Sequence, residues 1–250
     1  MQSVEKGSLP MRATCLESLC LTTLSVITVA CVSPGQSGLS YREPTAIEKV
    51  KNEELMSRSF DETWDLLIRE LTKSFFVFHT VEKASRLISL SFTTDKAHEY
   101  VDCGNVERRL RYRDEVGTYT YPAASSSSYK YAGAWGSGMD LPLRVSALRR
   151  TALEGKINIY VAPHDQQTLV AVNTRYLLTI HTVGLNEHLN SSGKVVKAET
   201  FAADPLTVTF NTGQTGMAEE AIHGTTAMKC RSNGKLEADI LRMPRRPNLF

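Results

Sequence analysis

The feature that most constrains this chain is the run LCLTTLSVITVAC at residues 19–31. It carries no charge, is rich in small and β-branched residues, and stops at a cysteine followed by VSPGQSG. A secretory signal needs a basic start, an apolar segment of about 7–15 residues and small residues at the cut. Each part is present, with Arg12 supplying the basic start. A membrane-spanning helix needs about 20 apolar residues, and no stretch of the sequence has that many consecutive apolar residues. The competing reading is a buried strand or short core helix that happens to contain Cys31. The N-terminal position, the missing charges and the Ser/Pro/Gly-rich sequel favour the signal. Residues 1–10 lengthen the start and add an acid, so Met11 is the expected initiator, although Glu17 fits poorly with either start.

Ala30-Cys31 at the end of this run resembles the lipobox of bacterial lipoproteins, with Thr28 standing where that pattern usually has Leu. The resemblance implies that residues 1–30 are removed, that Cys31 takes a diacylglyceryl group and becomes the mature N-terminus, and that the lipid is the anchor. Val32-Ser33 follow the cysteine, whereas the usual inner-membrane retention signal is Asp. The implied location is therefore the outer membrane, with the protein facing the periplasm. Residues 31–58, polar and poor in periodic apolar positions, read as a tether, with a helical turn or strand near residues 46–55.

Five cysteines are present. Cys15 and Cys20 leave with the signal and Cys31 is lipidated, so Cys103 and Cys230 remain in an oxidising compartment. An even number there suits a disulfide. A pair of buried free thiols stays open at this point. The net charge of +2 is near balance, and the densest basic stretch is Arg108-Arg109-Leu110-Arg111 with Arg113. It reads as a solvated strand face, and no nucleic-acid partner is expected.

The folded part is expected over residues 59–250. Ser59-Phe60-Asp61-Glu62 has the form of a capping box. Phe60, Trp64, Leu67, Ile68, Leu71 and Phe75 then recur at the helical period. Next, Phe76, Phe78, Ile88, Leu90 and Phe92 alternate as a hairpin would, around a charged turn at residues 82–86. This unit, SFDETWDLLIRELTKSFFVFHTVEKASRLISLSF, resembles bacterial outer-membrane lipoproteins related to the C component of the β-barrel assembly machinery. The resemblance implies an α+β, helix-grip-like fold with a helix packed on a mainly antiparallel sheet. Residues 118–138, TYTYPAASSSSYKYAGAWGSG, read as an exposed low-complexity loop. From residue 141 the chain reads as sheet: strands over 155–161, 168–182, 195–201, 206–210, 227–231 and 235–241, with Asn233-Gly234 as a hairpin turn between the last two.

No catalytic signature is found. The six histidines are scattered without metal-site spacing, so no metal and no cofactor are expected. Ser127-Ser128-Tyr129-Lys130 has an S-x-x-K spacing but no companion motif. The expected function is a lipid-anchored envelope protein with a structural or assembly role, its partners being the outer membrane and envelope proteins. The alternatives are a lipid or small-molecule carrier with an apolar cavity between helix and sheet, and an envelope hydrolase. A filled helix–sheet interface favours the first, an apolar pocket the second, and a His facing a Ser in a cleft the third.

Overall fold

The computed structural model describes residues 36–45, 49–133, 143–221 and 225–245, all within the unit Ser33–Phe250. The segment expected to be a signal peptide, and Cys31, lie outside the described residues. Two long strands form its spine, β9 (Leu143–His164) and β10 (Gln167–Leu189). They pair antiparallel without interruption from His164↔Gln167 to Leu143↔His188, through a turn in which Asp165 takes φ 52°. Alternation makes the spine one-sided. Leu153, Ile157, Ile159 and Val161 of β9, with Val170, Val172, Tyr176 and Leu178 of β10, are fully buried, while the intervening positions face away.

Shorter strands line each edge of this hairpin. On the β9 side are β4 (Leu87–Thr94), itself paired to β3 (Val77–Glu82), and β8 (Ser127–Gly133). On the β10 side are β2 (Glu53–Met56), β12 (Leu206–Asn211) and β11 (Val195–Ala202). A second sheet runs β1 (Gln36–Arg42), β6 (Asn105–Tyr112), β7 (Glu115–Pro122). A third runs β13 (Thr215–Ala221), β14 (Thr225–Ser232), β5 (Val101–Asp102). The α-helices among the described residues are α1 (Phe60–Thr72) and α2 (Lys235–Arg242).

The α+β helix-grip expectation is thus overturned: the described residues form a predominantly antiparallel β structure with two short α-helices. The unit at residues 59–92 forms as expected, with the reciprocal Ser59–Glu62 capping box and Trp64, Leu67 and Leu71 buried. What the local pattern could not convey is that this unit is a minor part. The sheet is organised by β9 and β10, each far longer than α1 can span. Phe75, beyond the end of α1, is 59% exposed.

Three further expectations fail. The tether expected over residues 31–58 holds β1, which pairs along its whole length with β6, while β2 falls beside the place where a helical turn or strand is expected. The loop over residues 118–138 is strand as far as Gly133, in β7 and β8; residues 134–138 lie outside the described residues. Its Tyr residues alternate inward, with Tyr121 and Tyr129 stacked 5.6 Å apart. The strand expected at residues 235–241 is α2. Gly234, at φ 80°, ends β14 and caps a helix whose Leu236, Ile240, Leu241 and Met243 are buried, with Lys235 and Asp239 paired one turn apart at 2.7 Å.

Glu237, in the first turn of α2, is fully buried. Its carboxylate accepts hydrogen bonds from Tyr176 Oη (2.8 Å), Thr212 Oγ1 (2.7 Å) and Ser232 Oγ (3.0 Å). Burial, then the neighbouring Glu237 charge, pushes the Tyr176 hydroxyl far above its ordinary value. These four side chains fasten α2 to β10, β14 and the turn after β12. A second fastening is covalent. Cys103 and Cys230 form a disulfide with Cα atoms 4.1 Å apart, joining the start of β6 to β14. Tyr41 of β1 covers it, donating to Cys103 O (3.0 Å) and accepting from Lys229 N (3.0 Å).

Candidate functional site

The register of four strands builds an open groove of about 720 Å³ at the end of the spine away from the β9–β10 turn. Two rows share one face: Ser128, Leu148, Val183 and Ala202, then Lys130, Ser146, Leu185 and Thr200. Between them, directed to the other face, runs the row Tyr129, Ala147, Gly184 and Phe201. All of these residues line the groove, together with Tyr119 of β7. The volume falls within the range of about 300–1,000 Å³ usual for small-molecule sites. Leu148 and Val183, directly opposite one another across β9 and β10, are 38% and 43% exposed. A Cβ on Gly184 would stand 2.5 Å from a Phe201 ring carbon, so glycine is what lets that ring lie across β10.

A chain of charges rims the groove on one side. Lys130 Nζ lies 2.7 Å from Glu115 Oε1, Arg144 Nη1 lies 3.3 Å from Glu115 Oε2, and Arg144 Nε lies 2.8 Å from Glu187 Oε2. The hydrogen bond from Lys130, reinforced by the Arg144 charge, holds the Glu115 carboxyl below the usual range. Glu115 in turn raises Lys130, and Glu187 raises Arg144. On the other side stands Arg150, exposed and two residues beyond Leu148 on the same face of β9.

Behind the groove the aromatic row is rigidly backed. The Arg108 guanidinium lies over the Tyr129 ring at 4.4 Å and donates from Nε to Tyr121 Oη at 3.1 Å. Arg149 donates to Ser125 O (2.7 Å) and to Ala123 O, fixing the turn between β7 and β8. Both arginines are buried, at 3% and 1% exposed. The reading of residues 108–113 as a solvated face therefore holds for Arg109 and Arg111 and fails for Arg108. The alternation of β6 turns every second residue inward.

No family model, no curated protein and no solved structure matches this chain. The site therefore rests on its own geometry.

Of the residues singled out from sequence, Cys31 and His223 lie outside the described residues, and Cys103 with Cys230 forms the disulfide. Ser127 and Lys130 are three apart on a strand, so they project to opposite faces and cannot act together. His79 Nε2 and Ser91 Oγ meet at 2.7 Å, but they stand on β3 and β4 outside the groove, His79 exposed and Ser91 half-buried. The interface between α1 and the sheet is filled by Trp64, Leu67, Leu71, Ile88 and Phe92. The groove itself had no local signature. Its rows join residues as far apart as Ser128 and Ala202, and only Tyr119, Ser128, Tyr129 and Lys130 of its lining fall in the segment read as a low-complexity loop.

Proposed function

We propose that this chain is a cell-envelope protein, lipid-anchored through Cys31 at the periplasmic face of the outer membrane. It acts as a structural or assembly component, without catalysis, by presenting the β8–β11 surface to other envelope proteins. The observation that carries this reading is the paired exposure of Leu148 and Val183. The next outward positions of β9 include Arg150, Glu154, Lys156 and Asn158, so an apolar pair interrupts a polar face. The anchor draws its support from the charge-free run ending at Cys31. Among the described residues no helix is long and apolar enough to cross a membrane.

The test is site-specific photo-crosslinking in cells. A crosslinker at Val183 should give one discrete heavier product, absent from a crosslinker at Asn158 on the same face, and lost when Leu148 is changed to Asp. Equal products from both positions sink the reading. Cys31→Ala should block processing and remove the protein from the outer-membrane fraction; normal fractionation of that variant refutes the anchor.

A second reading, a carrier of lipids or small apolar molecules, is favoured by the groove itself. Its apolar space lies on β8–β11 rather than between helix and sheet, where the packing is filled.

A further inference from the structure

The geometry points to one chemical class of occupant for the groove: we propose that it takes a single acyl chain ending in a carboxylate, with the head held by Lys130. The inference rests on the carrier reading and adds the head-group chemistry to it. The tail's place is the surface formed by Leu148, Val183 and Leu185, contiguous across β9 and β10 and still in part open to water.

Among the described residues, Lys130 is the one charged side chain that lines the groove. It is half-exposed and bound to Glu115 at 2.7 Å, a contact that would ordinarily oppose its use by a ligand. Glu115 has a second cation, however, in Arg144 at 3.3 Å. Lys130 can turn to a ligand carboxylate while Glu115 stays paired, so one ion pair is exchanged for another and no carboxylate is abandoned. Arg144 cannot be released the same way, because it also holds Glu187 at 2.8 Å. Arg150 lies two rows from Lys130 along the same face and is not among the groove's lining residues. The head is thereby assigned to one end.

The experiment uses the purified full chain in detergent-free buffer with the neutral fluorescent probe N-phenyl-1-naphthylamine, displaced by dodecanoate or by methyl dodecanoate. Both should displace the probe, and dodecanoate should do so at a roughly ten- to hundredfold lower concentration, the range expected for one charge-assisted hydrogen bond. Lys130→Gln should erase that difference while leaving displacement by the ester unchanged; Arg150→Gln should leave both unchanged. Val183→Glu, at an exposed position where the fold should tolerate it, should abolish probe binding with the melting curve preserved. Dodecanoate no better than its ester, or a preference that survives Lys130→Gln, overturns the head-group assignment and leaves the carrier reading standing. Probe binding that is absent, or indifferent to Val183→Glu, overturns the carrier reading itself.

Discussion

Replacing Glu237 by alanine should loosen the C-terminal helix more than any surface change, and the loss can be worked from its partners. Three hydroxyls, of Tyr176, Thr212 and Ser232, donate to this one carboxylate in a site without water access. Thr212 has an alternative acceptor in Thr174 O at 3.3 Å, whereas Tyr176 and Ser232 are left only each other, at a weak 3.4 Å. Each orphaned buried hydroxyl costs about 1–3 kcal/mol. Against this stands the relief of no longer burying a charge, which offsets a part. The net expectation is about 2–4 kcal/mol, which for a domain of this size lowers Tm by roughly 5–15 °C. Glu237→Gln should cost about 1 kcal/mol, since one oxygen still accepts from Tyr176 and Thr212 and the new amide can donate to Ser232 Oγ. Urea unfolding with an unchanged m-value is the assay. An alanine variant within about 0.5 kcal/mol of the parent refutes the reasoning, since that is the usual size of a surface change. A glutamine variant as damaged as the alanine one shows that charge, not hydrogen-bond geometry, fastens the helix.

Three more outcomes are expected. Cys103→Ser and Cys230→Ser should each lower Tm, with the double variant no worse than either, because both singles remove the same bond; the chain-entropy model puts a loop of this length at about 4–5 kcal/mol. Recovery of the two cysteines as separate alkylated peptides from an unreduced digest would rule the bridge out. Glu115, whose carboxyl is held low by Lys130 and then Arg144, should stabilise the fold above the unfolded glutamate value of about 4.3. That contribution is lost as the pH falls through its lower folded value, so the stability gap between the parent and Glu115→Gln should close between pH 7 and pH 3; a constant gap speaks against it. Gly155→Ala would set a Cβ 2.1 Å from a Phe92 ring carbon in a buried aromatic cluster. Overpacking of that kind costs about 1–3 kcal/mol, and adding Phe92→Leu should restore part of it, whereas strictly additive effects would show that the two residues do not press on each other.

What the sequence determined by itself was whatever depends on neighbours along the chain. The capping box at Ser59 and Glu62, the helical stripe through Trp64, Leu67 and Leu71, and the alternation of Ile157, Ile159 and Val161 are set by helix and strand periods, which act over a few residues. The same locality explains the errors. Asn233-Gly234 carries the signature of a hairpin turn, and the left-handed Gly234 is present as that signature implies, yet it opens a helix because Leu236, Ile240 and Leu241 find a core to cover. Arg108 reads as surface from its charge, yet it is buried, as is Arg149, and only the stack of Tyr121 and Tyr129 with the carbonyls of Ala123 and Ser125 makes their burial tolerable. The tertiary structure alone decided that residues 36–42 form an edge strand and that β9 and β10 run unbroken as a spine. It also decided that Lys130, Leu148, Val183 and Phe201 line one groove. Cross-strand register fixes each of these, and it is settled by pairing between segments far apart in the chain, where no local period reaches.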